Sequence, residues 1–209
     1  MRDLLHLPSL YGILDPEQIK GRSPESVLCD LLAAGVKIIQ LRAKAMTPRE
    51  LLQLARETRA LTRSRDCLFI VNDRVDIALA SGADGVHLGQ EDLPLHAAKK
   101  LMGDKMIGIS THDVEQAVEA ERGGADYIGF GPMFATTTKD TGYAARGLEM
   151  LREIRAAAKL PIVAIGGITE TNVAQVWQAG ADSAAIISDI LRADDIPAKI
   201  KRIKEQHGQ

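Results

Sequence analysis

Eight short apolar runs alternate along this chain with segments of helical period, and that alternation leaves few folds open. The runs are Leu10 to Leu14, Val36 to Arg42, Cys67 to Val71, Gly85 to Gly89, Met106 to Ile109, Tyr127 to Phe130, Pro161 to Ile165 and Ser183 to Ile187. Nearly all are apolar on both faces, as in parallel strands covered by helices on either side. The segments between them carry helix punctuation. Ser23-Pro24-Glu25 reads as an N-cap followed by proline at the first helical position. Thr47-Pro-Arg-Glu50 has the spacing of a capping box. Eight strands and eight helices predict one α/β domain over residues 1–209, a (β/α)8 TIM barrel near the lower size limit of that fold.

An internal repeat supports closure. Gly35-Val-Lys, Gly82-Ala-Asp, Gly124-Ala-Asp and Gly180-Ala-Asp each end a helix and open an even-numbered strand. The last gap is the longest, and it contains the stretch Gly129 to Gly142, so that stretch reads as an insertion after the sixth strand. The rival arrangement, an open doubly wound sheet, would carry a Gly-rich dinucleotide turn after the first strand, and none is present.

Composition narrows the function. A net charge of −2 and a pI near 6.2 provide no overall basic field of the kind a nucleic-acid binder displays. No apolar run reaches the length of a membrane span, and the N-terminal residues lack a secretory pattern, so a cytoplasmic location is expected. Cys29 and Cys67 have neither metal-ligand spacing nor a disulfide framework and read as buried thiols.

In such a barrel chemistry collects where strands end. Those ends carry Gln40, Arg42 and Lys44, then Asn72-Asp73, Gln90-Glu91-Asp92, Ser110-Thr111-His112, the Thr-rich stretch, Gly166-Gly167 and Ser188-Asp189. Gly166-Gly167 and Ser188 occupy the two loops that commonly hold a phosphate in this fold. The stretch after the sixth strand has four hydroxyls (Thr136, Thr137, Thr138, Thr141) and one cation, Lys139, all suited to phosphate oxygens. Asp73 and Asp92 follow neighbouring strands and could meet above the barrel. Two carboxylates without His or Cys suit Mg²⁺, which completes its shell with water and substrate oxygens. Each aspartate also stands just before a helix, where it could serve only as a cap. Arg42 could equally be held in a structural ion pair. His87 reads as a core residue or a support for the site. His112 is placed either to meet substrate or to start a helix, and Trp177 packs a helix on the barrel.

Taken together, Gln40-Leu-Arg-Ala-Lys44, Val71-Asn-Asp73, Gly85-Val-His-Leu-Gly-Gln-Glu-Asp92, Gly108-Ile-Ser-Thr-His112, Gly131-Pro-Met-Phe-Ala-Thr-Thr-Thr-Lys139, Ala164-Ile-Gly-Gly-Ile168 and Ile187-Ser188 resemble the thiamine-phosphate synthase family. The motifs run in order, one per strand end, over nearly the whole chain. The resemblance implies a transferase that joins a hydroxymethylpyrimidine diphosphate to a hydroxyethylthiazole phosphate and releases pyrophosphate. It implies Mg²⁺ on Asp73 and Asp92. It places Gln40, Arg42, Lys44, Asn72, Ser110 and Lys139 on the pyrimidine diphosphate, with Arg42, Ser110 and Lys139 in catalytic roles. Thr136, Thr138, Gly167, Ile187 and Ser188 fall on the thiazole phosphate. The implied partners are these two small molecules, with neither nucleic acid nor membrane, and an oligomer is compatible with all of it. Two departures stand out. Ala43 occupies a position usually acidic in the family, which removes a candidate partner for Arg42 or Lys44, and Ala135 replaces a frequent proline. The alternatives are a thiazole tautomerase of the same superfamily and a non-catalytic thiazole-phosphate-binding protein.

Overall fold

A computed structural model describes residues 6–135 and 144–207. The elements follow one another as β1 (Leu10–Leu14), α1 (Pro24–Ala33), β2 (Ile38–Leu41), α2 (Pro48–Arg63), β3 (Leu68–Asn72), α3 (Val75–Ser81), β4 (Gly85–Leu88), α4 (Leu95–Met102), β5 (Met106–Thr111), α5 (Val114–Gly123), β6 (Tyr127–Phe130), α6 (Gly147–Ala157), β7 (Ile162–Ile165), α7 (Val173–Gln178), β8 (Ser183–Ala185), α8 (Ser188–Leu191) and α9 (Ile196–Glu205). The strands pair in sequence order, all parallel, and β8 closes onto β1 through Leu10–Ala184 and Tyr11–Ala185. The architecture is therefore the closed (β/α)8 barrel that the alternation predicts.

Two apolar layers hold it together. Inside the barrel, Tyr11, Ile13, Ile38, Ile70, Tyr127, Val163 and Ala185 fill the axis. Outside it, the helices lay their apolar stripes on the strands, α1 through Val27, Leu28, Leu31 and Leu32 and α9 through Ile196, Ile200 and Ile203. Each such side chain contributes about 1.5–3 kcal/mol when fully removed from water. Both sequence-predicted helix starts are present. The Ser23 hydroxyl accepts from Ser26 N–H, and Thr47 and Glu50 cap each other reciprocally.

The repeat has a structural cause. In three of its four copies an aspartate carboxylate accepts the backbone N–H at or next to the start of the preceding odd-numbered strand. Asp84 takes Phe69 N–H, Asp126 takes Ile107 N–H and Asp182 takes Ile162 N–H, each at 2.8 Å. The N–H groups of the same aspartates donate back, to the carbonyls of Phe69, Ile107 and Ile162. The glycines that precede them have φ of +70° to +108°, the conformation that turns the chain out of the helix. These aspartates lock strand pairs at the end of the barrel opposite the polar rim.

Three expectations change. A further short helix, α8, follows β8, and β8 itself is shorter than the apolar run suggests. Ile186 and Ile187 are apolar because they pack against the core, not because they pair in the sheet. Cys29 is exposed, and only Cys67 is a buried thiol. Among the described residues, no helix is long and apolar enough to cross a membrane.

Candidate active site

The C-terminal ends of the strands surround a cavity of about 1050 Å³, its solvent-open mouth included. Gln40 and Arg42 reach it from β2 and the loop beyond, Asn72 from β3, His87 from β4, Ser110 and His112 from β5 and its exit, and Gly167, Ile187 and Ser188 from the turns after β7 and β8. Tertiary structure thus brings seven of the sequence-predicted site residues (Gln40, Arg42, Asn72, Ser110, Gly167, Ile187 and Ser188) around one space. Ile13, Val163, Ile165, Ile168 and Ala185 give it apolar walls. Gly167 has φ +65°, and a Cβ there would stand 2.7 Å from the Ala135 carbonyl oxygen, so glycine is required on both counts.

Lys44, Asp73 and Asp92 stand on the rim beside the cavity rather than in its wall. Burial raises the pKa of Asp92, the negative charge of Asp73 raises it further, and the Gly89 N–H and the Lys44 charge oppose this. Lys44 Nζ lies 3.1 Å from Asp73 Oδ2. The cap readings of both aspartates fail. The N-cap residue of α3 is Arg74 and that of α4 is Pro94, neither with a side-chain cap bond, while Asp92 accepts the Gly89 N–H at 2.6 Å. Asp73 also adopts φ +63°, a costly conformation for a non-glycine residue and a frequent one at functional sites. Two facing carboxylates offer hard oxygen donors of the kind Mg²⁺ takes. Among the described residues no group of three or more His, Cys, Asp and Glu side chains is arranged for a metal, so the rest of a coordination shell would be water and substrate.

Arg42 has a partner that its neighbours in sequence do not reveal. Its guanidinium donates to the buried carboxylate of Asp15, just beyond β1, at 2.5 Å. The expectation that Ala43 deprives Arg42 or Lys44 of an ion pair is thus corrected. Asp15 supplies the acid for Arg42, Asp73 supplies it for Lys44, and Ala43 is simply buried.

Sequence reasoning missed Tyr11 and Tyr127 and left His87 undecided. They form a chain of hydrogen bonds across the barrel. Gln40 Nε2 donates to the Tyr11 hydroxyl at 3.1 Å, the two tyrosine hydroxyls meet at 2.8 Å, Tyr127 meets His87 Nδ1 at 3.2 Å, and His87 Nε2 meets Ser110 Oγ at 2.9 Å. Burial holds both phenols well above their usual pKa, so they are neutral. The signal was present in a chain with three tyrosines, two of them inside predicted strands. His112 places Nδ1 2.6 Å from the Gly131 carbonyl oxygen, while α5 is capped by Asp113, so His112 is a cavity residue and not a helix start. Trp177 packs against the barrel core as expected and donates from Nε1 to the Ser9 carbonyl. Thr136, Thr138 and Lys139 lie outside the described residues.

Fold and rim define a (β/α)8 barrel protein whose polar side chains gather around one cavity at the C-terminal ends of its strands. A family profile described as thiamine monophosphate synthase matches residues 10–190. The chain is 48% identical over 198 residues to a thiamine-phosphate synthase of Methanoregula boonei, covering 94% of this chain and 92% of that one. It is 45% identical over 195 residues to the Chloroflexus aurantiacus thiamine-phosphate synthase, covering 93% and 90%. The solved thiamine phosphate pyrophosphorylase from Pyrococcus furiosus superposes with a TM-score of 0.86 at 38% identity, covering 96% of this chain and 98% of that one. The chain belongs to the thiamine-phosphate synthase family, transferases of thiamine biosynthesis.

Proposed function

We propose that this enzyme condenses 4-amino-5-hydroxymethyl-2-methylpyrimidine diphosphate with hydroxyethylthiazole phosphate, or its carboxylated form, to give thiamine phosphate and pyrophosphate. The observation that carries the site assignment is the convergence of Gln40, Arg42, Asn72, Ser110, Gly167, Ile187 and Ser188 on one cavity. The pyrimidine ring occupies its floor, near Gln40 and Ser110. The diphosphate extends to the rim, where Arg42, Asn72 and Lys44 bind its oxygens, joined by Lys139. The thiazole phosphate takes the turns after β7 and β8 (Gly167, Ile187, Ser188), with Thr136 and Thr138.

The carbon–oxygen bond to the diphosphate breaks first, and the bonding pair leaves with pyrophosphate. The resulting pyrimidine cation is captured by the lone pair of the thiazole nitrogen, forming the carbon–nitrogen bond. Such a step asks the protein for charge stabilisation on the leaving group more than for a base. Arg42, fixed by Asp15, is preorganised for it. The apolar walls keep water from the cation. Asp73 and Asp92 are the residues that fit Mg²⁺, which when bound supplies positive charge to the departing oxygens. A cytoplasmic enzyme working without nucleic acid or membrane is part of the same reading.

The test is pyrophosphate release with both substrates, with each omitted, and with and without Mg²⁺. Release that needs both substrates and the metal supports the proposal. Isomerisation of the thiazole carboxylate phosphate alone would assign the chain to the tautomerases. Binding of thiazole phosphate without turnover would make it a non-catalytic binder.

A further inference from the structure

Two strand-interior glycines have no structural reason until the hydrogen-bond chain is drawn. A Cβ on Gly108 would fall 2.1 Å from Tyr127 Cζ and 2.5 Å from its hydroxyl oxygen. A Cβ on Gly129 would fall 2.8 Å from His87 Cε1 and 3.1 Å from Nε2. Gly108 pairs in register with both His87 and Tyr127, and Gly129 with Ser110. Strand glycine weakens a sheet and leaves a gap unless another group uses the space. Here the gaps seat the Tyr127 and His87 rings.

We propose that the chain Gln40–Tyr11–Tyr127–His87–Ser110 is a polarised positioning device, which presents Gln40 to the cavity as a hydrogen-bond acceptor and Ser110 as a donor. Each phenol has one proton to give. Gln40 Nε2 donates to Tyr11, so the Tyr11 proton goes to Tyr127 and the Tyr127 proton to His87 Nδ1. His87 then carries its proton on Nε2 and donates it to Ser110 Oγ. The Ser110 proton is left to point at a ligand, and Gln40 keeps its carbonyl oxygen for the same purpose. Both phenols are fully buried and cannot exchange these roles for bonds to water.

Tyr11, Tyr127 and His87 are positioning residues in this scheme. The inference rests on the synthase reading for the ring that it meets. A ring with an amino donor toward Gln40 and a nitrogen lone pair toward Ser110 fits. One with donor and acceptor exchanged sets a lone pair against the Gln40 carbonyl oxygen and offers the Ser110 proton no acceptor.

The experiment is the tautomer of His87 in the free protein, read from long-range ¹H–¹⁵N correlation and assigned by loss of its signals in His87→Asn. The polarised chain requires the proton on Nε2. The Nδ1–H tautomer in the wild-type protein would overturn it. Tyr127→Phe keeps the ring and deletes the link. The expected result is a mixed tautomer and a KM for the pyrimidine diphosphate raised about tenfold, the loss of one buried hydrogen bond, with the thiazole phosphate KM unchanged. An unchanged His87 spectrum and unchanged KM would also overturn the proposal. Tyr11→Phe gives a second reading if Tyr127→Phe does not fold. It should raise the same KM while leaving the tautomer intact, because Tyr127 still donates to His87, and an unchanged KM there counts against the scheme. A wild-type protein with the Nε2–H tautomer but no synthase activity would sink the functional reading and leave the chain standing.

Discussion

Arg42 is held from another strand, and that decides how it can be tested. Asp15 is completely buried, and Arg42 is its ion-pair partner. Breaking a buried pair by removing one charge strands the other, at a cost of about 3 kcal/mol or more. Asp15→Asn is therefore expected to lower stability by that order in denaturant unfolding, and to raise the KM for the pyrimidine diphosphate as the guanidinium loses its fixed direction. A loss of stability with unchanged KM would show that Arg42 does not bind that substrate. Asp92 predicts the opposite pattern. It is raised toward protonation by burial and by Asp73, and it takes no part in a helix cap. Asp92→Asn relieves that repulsion and should leave the melting temperature unchanged or slightly higher, while turnover falls by about 10²-fold. Unaltered turnover at saturating Mg²⁺ would remove it from the metal site. Neither residue could be sorted between its structural and functional readings from its sequence neighbours, because each reading depends on atoms brought in by a different strand.

At the scale of elements, the Gly-Ala-Asp repeat and the rim motifs have separate duties. Asp84 accepts the Phe69 N–H and also pairs with Arg59 on α2 at 2.7 Å, which ties β3, β4 and a helix together. A hydrogen bond to a charged group contributes about 1.5–3 kcal/mol, and Asp84 stands away from the cavity lining. Asp84→Ala should cost stability on that scale in thermal or urea unfolding and leave kcat and both KM values as they are. A fall in kcat would mean that the base of the barrel is coupled to the rim. The capping box at Thr47 was readable from four adjacent residues, as was the N-cap at Ser23, because caps are local chemistry. The end of β8 was not. An isoleucine that pairs and one that merely packs look alike in sequence, and only the path of the chain into α8 separates them.

For the whole molecule, ligands that bind the native state alone must raise its stability. Pyrophosphate with Mg²⁺, at about 100 times its dissociation constant, should add roughly 2.7 kcal/mol, or about 5–11 °C in melting temperature for a chain of this size. The shift should vanish in Asp92→Asn, and a shift that persists there would place the metal elsewhere. The alternation of apolar runs with helical periods determined the barrel, since eight strands buried on both faces can be covered only by the helices between them, and closure leaves no open edge. The strand-end motifs determined which residues gather at the rim, since parallel strands all end on one side. Sequence alone could not show who partners whom across the axis. The bond from Asp15 to Arg42, the facing carboxylates of Asp73 and Asp92, and the run from Gln40 through two tyrosines to Ser110 join residues far apart in the chain. Hydrogen bonds and ion pairs act over about 3 Å, and only closing the barrel brings those atoms within that reach.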